Sequence, residues 1–342
     1  MTCLHSTKTL IACLLAQVLA AVLLTSCGVD GDKVRISGKF GEGEGLCYIY
    51  TDDGPTAHLD TVKMHEGRFR CDFALSQPAI VTIVLPNFYQ YQVVGRPGEE
   101  VSLKGRISKP SEAEVSGNDD NELLTEFRKK SLQLDEKGVA REAAQFIRKN
   151  PATMAALVLF RKYFAEVETI DDDEARSLLS LLRKSQPTNQ ALTSTEAFLA
   201  PLLQTAKGQK LNPFNVQAID GRQLSFGHFG QKPLLVAFLA TWNQGSGPVW
   251  RILRALEKKY GSRLGILVIS LDGVAARAES RAKIDSLAAP IVCDTEGFNS
   301  PLVRQFGVRT MPGNLLVDAI GEIVDRDIPT MELADRVGKL LP

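Results

Sequence analysis

Cysteine is the residue type with the most chemistry to offer in this chain, and its spacing is uninviting. The six cysteines are Cys3, Cys13, Cys27, Cys47, Cys71 and Cys293, and no two of them form a Cys-x-x-Cys pair. Cys47 and Cys71 fall in β-prone runs, and Cys71 alternates with Phe69 and Phe73, which points it towards a core. Two buried free thiols are the leading expectation. A disulfide between them stays open, because pairing needs Cα atoms within about 7 Å, which spacing does not reveal. Cys293 lies in an apolar run between Val292 and Asp294, where a small buried hydrophobe is the plain reading. A one-thiol redox site is the alternative, and it requires exposure and a lowered pKa. His58, His65 and His228 are far apart and lack metal-ligand spacing, so no metal is expected. Ser246 stands between Gly245 and Gly247 without the spacing of a nucleophile elbow or an evident His–Asp pair, so no hydrolase triad is expected. The run Asp171 to Glu174 lacks the sixth-position Gly and twelfth-position Glu of a calcium loop and reads as acid at a helix start. Gly41 to Gly45 joins two strands with no Lys-Ser/Thr after it, so it reads as a hairpin and not a phosphate loop.

Bulk properties narrow the partners. Lys plus Arg number 40 and Asp plus Glu number 40, a formal net charge of +0. With no basic surplus to neutralise a phosphate backbone, nucleic acid is not an expected partner. Apolar residues are 44% and charged residues 23% of the chain, which excludes a disordered, collagenous or coiled-coil protein. A chain of 342 residues carries a prior of about two domains.

Residues 1–26 read as a secretory signal. Lys8 is followed by an apolar run from Leu10 to Leu24 broken only by Gln17. That run falls short of the ~20 residues a spanning helix needs. It ends on Leu24-Thr25-Ser26-Cys27, which resembles a bacterial lipobox, with Cys27 the acylated residue. The alternative is a plain signal or anchor helix with an incidental cysteine. Lipidation at Cys27 implies a membrane partner engaged through acyl chains. Gly28, rather than Asp, after Cys27 resembles outer-membrane lipoproteins; the periplasmic face is expected, with surface exposure left open. In a compartment outside the cytoplasm, disulfides persist.

Three textures follow. Residues 28–117 are strand-rich, with runs at Val34–Gly38, Leu46–Tyr50, Arg68–Phe73, Ala79–Leu85, Tyr91–Val94 and Val101–Leu103 between Gly and Asp clusters. That spacing predicts a small antiparallel sandwich or barrel. Residues 118–207 are helical: Asn118 to Asn121 offer caps for a helix through Leu134, and Asn150-Pro151 a cap and first-turn proline before Ala152–Phe164. Further helices are expected over Ala175–Lys184 and Gln190–Ala206. In residues 211–342, the runs Pro233–Ala240 and Leu264–Ser270 are continuously apolar, as strands buried on both faces are. Helices near Pro248–Tyr260, Ala276–Leu287, Pro301–Phe306 and Met331–Leu341 alternate with strands at Ile291–Asp294, Asn314–Val317 and Glu322–Asp325. The whole reads as an α+β multidomain chain whose C-terminal part is α/β.

Phe238-Leu239-Ala240-Thr241-Trp242, then a polar turn and a helix, resembles the active-site strand of thioredoxins, Phe-x-Ala-x-Trp-Cys-x-x-Cys. Gly307-Val308-Arg309-Thr310-Met311-Pro312 resembles their Gly-Val-x-x-x-Pro turn, in which the proline is cis. The lead-in Phe214–Gly221 is similar to the N-terminal hairpin of extracytoplasmic thioredoxin-like and peroxiredoxin-like proteins. Val115-Ser116-Gly117-Asn118 and the strands before it resemble an uncharacterised domain often fused ahead of such modules in bacterial lipoproteins. The resemblance implies a thioredoxin-like fold over residues 211–342. Aligned on Trp242, the positions of the two redox cysteines are Asn243 and Ser246, and an amide and a hydroxyl cannot pass two electrons. Ser246 is expected to cap the helix and Pro248 to sit in its first turn. Trp250 reads as core packing rather than a binding platform.

The resemblance further implies a peptide-binding edge at Thr310 and Met311 beside Pro312, with Trp242 as the neighbouring wall. The expected role is a lipid-anchored, non-catalytic binding or scaffold protein of the cell envelope. Its expected partner is an extended peptide or an envelope protein, with no catalytic residue and no cofactor. The alternative is a thiol-disulfide oxidoreductase or peroxidase-type enzyme using Cys293, or Cys47 with Cys71.

Overall fold

The computed structural model describes residues 29–53, 58–167 and 170–341. The signal reading and Cys27 lie outside the described residues. The chain divides into two compact units with the boundary between Thr195 and Glu196.

The first unit opens with eight strands: β1 (Lys33–Lys39), β2 (Gly45–Thr51), β3 (His58–Met64), β4 (Arg68–Ala74), β5 (Ala79–Val84), β6 (Gln90–Gly95), β7 (Glu100–Lys104) and β8 (Glu114–Ser116). They form two four-stranded sheets, β4-β1-β7-β8 and β3-β2-β5-β6, both open at their edges. One apolar core joins them, drawing Val34 and Ile36 from β1, Cys47 and Ile49 from β2, Ile83 from β5 and Val101 from β7. The sequence expectation of sandwich or barrel resolves to a sandwich. One pairing departs from it: β1 and β7 run parallel. This strand pair is not a hairpin, since β2 to β6 intervene in the chain and are shared between the two sheets. Strands β3 and β8 gave no sequence signal. Both are edge strands, and β3 buries only Met64 fully, so pairing with a neighbour supplies what hydrophobicity does not.

Five helices follow: α1 (Asp119–Ser131), α2 (Glu136–Lys149), α3 (Met154–Phe160), α4 (Asp172–Ser185) and α5 (Gln190–Gln204). Asn118 caps α1, its side chain accepting from the Asn121 N–H. Asn150-Pro151 does not start α3 as expected. Asn150 instead closes α2, its N–H donating to the Phe146 carbonyl, and the Thr153 side chain caps α3. A single π-helical turn, Arg161–Ala165, continues α3.

Polar ties lock helices to sandwich. Asn121 meets both the N–H and the carbonyl of Val94 on β6, at 2.8 and 2.9 Å. Asp120 accepts from Arg96 and from the Ala155 N–H. Arg161 reaches from the π turn to Asp53 at 2.5 Å, in a pair whose carboxylate is almost wholly buried. The same guanidinium donates to Thr195 Oγ1 and the Ala191 carbonyl, and Asp53 also accepts the Ile80 N–H. Satisfied on all sides, this pair fixes geometry in a region where an unpaired charge would be costly.

The second unit is a five-stranded sheet in the order β13-β12-β11-β14-β15. Its strands are β11 (Leu234–Leu239), β12 (Gly265–Ser270), β13 (Ile291–Val292), β14 (Gly313–Val317) and β15 (Ile323–Arg326), preceded by a small hairpin of β9 (Val216–Gln217) and β10 (Gln223–Leu224). The first three sheet strands are mutually parallel and the last two antiparallel. Strand β11 alternates into two cores. Leu235, Ala237 and Leu239 face the layer of α6 (Ser246–Tyr260), α7 (Ala275–Asp285) and α9 (Leu333–Leu340). Leu234, Val236 and Phe238 face the layer that includes Val303 of α8 (Pro301–Gln305). That two-sided burial is why the run is apolar throughout. Among the described residues no helix is long and apolar enough to cross a membrane.

Candidate functional site

The turn after β11 and the turn before β14 meet at the ends of the two central strands. The Met311–Pro312 bond is cis. A Cβ placed on Gly245 would lie 3.0 Å from Pro312 Cδ, so the 243–247 turn lies directly against that proline. Within the turn, Asn243 and Ser246 hold each other. Asn243 Oδ1 accepts the Ser246 N–H at 3.0 Å and the Ser246 hydroxyl at 3.2 Å. The Ser246 hydroxyl in turn accepts the Ala240 N–H at 3.2 Å, and Asn243 Nδ2 reaches the Met311 carbonyl at 3.4 Å. Ser246 is fully buried and occupies the first helical position, with Gly245 as cap residue. The expectation that Ser246 caps α6 is corrected. Its hydroxyl is committed to Ala240 and Asn243, and the free Ser246 N–H is met by the Asn243 amide.

Trp242 is 53% exposed, with Nε1 donating to the Leu271 carbonyl and the ring tilted against Phe298 at 6.4 Å between centroids. Trp250, by contrast, is buried in the α6 core. Thr310 is exposed and Met311 half-buried, and their backbone N–H groups meet no partner among the described residues. Asp272, which the sequence did not single out, anchors this region from below. Wholly buried at the end of β12, it accepts the Thr241 N–H with both oxygens at 3.1 Å, the Thr241 hydroxyl at 2.6 Å and the Ser270 hydroxyl at 2.7 Å. A polar residue ending a buried apolar strand was the available signal, though many strands end so. Cys293 is half-buried and its thiol donates to the Asp272 carbonyl at 3.2 Å.

The other thiols among the described residues lie in the sandwich. Cys47 on β2 and Cys71 on β4 belong to different sheets and are both free. Burial pushes each thiol up to about 11, helped at Cys71 by the Asp60 carboxylate 3.8 Å away. At neutral pH neither supplies an appreciable thiolate. Cys71 is in phase with Phe69 and Phe73 as expected, but only half-buried. His228 sits in a short 3₁₀ turn bonded to Ser225. No group of three or more His, Cys, Asp or Glu among the described residues is placed to hold a metal ion.

Residues 34–124 match a domain of unknown function, DUF4369. The thioredoxin-like protein YneN of Bacillus subtilis (strain 168) is 25% identical over 137 residues, 39% of this chain and 78% of that protein. Among solved structures, a thiol-disulfide oxidoreductase from Bacteroides fragilis is 30% identical, spanning 39% of this chain and 100% of that one, with a TM-score of 0.37. A thioredoxin-like protein from Bacteroides caccae is 16% identical, spanning 58% and 77% of the two chains, with a TM-score of 0.45.

Proposed function

We propose that this chain, which holds a thioredoxin-like thiol-disulfide oxidoreductase domain by homology, is a lipid-anchored cell-envelope protein whose C-terminal thioredoxin-like unit binds rather than reduces. One observation carries the reading. Asn243 and Ser246, aligned with the two redox cysteines, are hydrogen-bonded to each other and to the backbone at the start of α6. On that alignment, two side chains without sulfur stand where an attacking and a resolving thiol would, and neither undergoes thiol–disulfide exchange. Cys293 is the only cysteine from Glu196 onward, so the unit has no resolving partner of its own.

What remains at this surface is a recognition edge. The unpaired N–H groups of Thr310 and Met311 offer main-chain hydrogen bonds to an extended polypeptide, and the exposed Trp242 ring offers an apolar wall. The anchor would be Cys27, and the envelope the compartment.

Two measurements on the full chain test this. In insulin reduction with dithiothreitol, the protein should be no faster than the blank, and Cys293→Ser should change nothing; turnover that disappears in Cys293→Ser would establish a one-thiol enzyme instead. Reduced, carboxymethylated α-lactalbumin, an extended chain without free thiols, should bind saturably. Trp242→Ala should weaken that binding about tenfold, the size of a typical aromatic anchor. Unchanged affinity in Trp242→Ala would remove the proposed edge.

A further inference from the structure

The N-terminal unit holds a pocket of about 270 Å³ between β6, α1, α3 and the π turn. Its lining includes Tyr89, Tyr91, Gln92, Arg128, Lys162 and Tyr163. We propose that this pocket binds a small organic anion, a carboxylate or phosphate monoester carried on a single flat ring.

Charge is the first argument. Elsewhere in this unit a guanidinium near the interior has its carboxylate: Arg161 has Asp53 and Arg96 has Asp120. Arg128 has none. Its Nη2 donates to the Ala113 carbonyl and Thr125 Oγ1, both neutral, and its buried Nε has no partner among the described residues. Lys162 also lacks an acid partner among them and lies over the Tyr163 ring at 5.4 Å. Glu166 is the one carboxylate among the described lining residues, and it is exposed, as Lys162 is. Burial holds both cations below their ordinary values, and Arg128 adds its repulsion at Lys162. A part-buried guanidinium in the wall and an exposed ammonium at the rim, neither with an acid partner among the described residues, give this cavity a positive face that a bound anion meets with charge-assisted hydrogen bonds.

Donors and shape are the second argument. The Tyr91 hydroxyl is committed to the Pro110 carbonyl at 2.6 Å, whereas those of Tyr89 and Tyr163 make no hydrogen bond among the described residues. Burial pushes both phenols up, so they stay protonated donors. Three tyrosine rings supply flat walls, and Arg128 already lies over Tyr91 at 5.6 Å. The volume is at the small end for ligand pockets, enough for about one ring with its anionic group. The π turn that positions Lys162 and Tyr163 is a rare distortion frequent at functional sites. Gln92 Oε1, buried and unpaired, offers one acceptor for a hydroxyl or amine on that ring.

Calorimetric titration of the full chain with phenyl phosphate, benzoate, inorganic phosphate and neutral benzyl alcohol tests this. Phenyl phosphate or benzoate should saturate one site per chain, and which of them binds assigns the anion. Benzyl alcohol should not bind, and inorganic phosphate should bind at least about tenfold more weakly for want of a ring. Arg128→Met should lower affinity at least about thirtyfold. Since Arg128 also packs on Tyr91, Lys162→Gln at the rim is the second variant, with an expected loss of about three- to fivefold. The proposal fails if neither ring-bearing anion binds, if benzyl alcohol binds as well as they do, or if a folded Arg128→Met or Lys162→Gln variant keeps full affinity. Equal binding of inorganic phosphate would overturn the ring.

Discussion

Replacing Asn243 and Ser246 together by cysteine should turn the C-terminal unit into a dithiol oxidoreductase. The structure sets the size of the effect. The Asn243 side chain already accepts the Ser246 N–H at 3.0 Å and touches the Ser246 hydroxyl at 3.2 Å, so sulfurs at these positions start near contact. A thiolate at position 243 would take over that N–H and face the N-terminus of α6. A charge-assisted bond contributes about 1.5–3 kcal/mol and a helix end up to about 2 kcal/mol. Partial desolvation opposes both, leaving a net gain of roughly 2 kcal/mol, about 1.5 pKa units. The thiol would move from about 8.5 to about 7, and its thiolate fraction at pH 7 would rise from about 3% to about half. The assay is insulin reduction, with the potential set against glutathione and expected between about −180 and −270 mV. Asn243→Cys alone should form mixed disulfides and not turn over. A folded double variant whose two thiols do not oxidise to each other would refute the placement of the sulfur positions, and with it the argument that their replacement disables electron transfer.

Four further outcomes follow from particular contacts. Arg161→Met should cost about 3–5 kcal/mol in urea unfolding, because it strands the buried Asp53 carboxylate; adding Asp53→Asn should recover part of that loss, and no recovery would mean the charge is not the cause. Asp272→Ala removes the acceptor for the buried Ser270 hydroxyl and for the N–H and hydroxyl of the exposed Thr241, so a loss of about 1–3 kcal/mol is expected; it should also raise acrylamide quenching of Trp242, while the buried Trp250 is unaffected. The Cys47 thiol is raised on folding from 9.0 to about 11, so its protonation stabilises the fold fully below about pH 9 and that contribution drains as pH climbs towards 11; relative to Cys47→Ala, the native chain should lose up to about 3 kcal/mol across that window, and equal pH slopes would contradict it. Finally, Cys27→Ala should abolish incorporation of labelled palmitate and release the chain to the soluble fraction; persistent labelling would rule out Cys27 as the anchor.

Where burial is one-dimensional, the amino-acid order was enough. Leu234 to Leu239 must be buried on both faces because nothing in it is polar, and Asn118, Asp171 and Pro312 announce a cap, a cap and a turn by their own chemistry. Edge strand β3 was invisible, since its residues satisfy neither periodicity and its place depends on β2. Helix α2 carries an apolar stripe at Val139, Ala143 and Ile147, a spacing legible in the order of residues alone. Asn150 was misplaced because a residue able to cap a helix start also serves a helix end, and only the path of the chain distinguishes them.

The order of residues by itself determined that the C-terminal unit would follow a thioredoxin-like path and that neither of the two aligned positions after Trp242, Asn243 and Ser246, would carry sulfur. Only tertiary structure decided that Asn243 and Ser246 hold each other, that Asp272 supports Thr241 from just beyond a neighbouring strand, and that Arg128 and Lys162 line one pocket with no ion pair to either among the described residues. The reason is range. Backbone preference and hydrophobic period act over a few residues, whereas a hydrogen-bond partner or an uncompensated charge is defined by groups that meet only after the chain has closed.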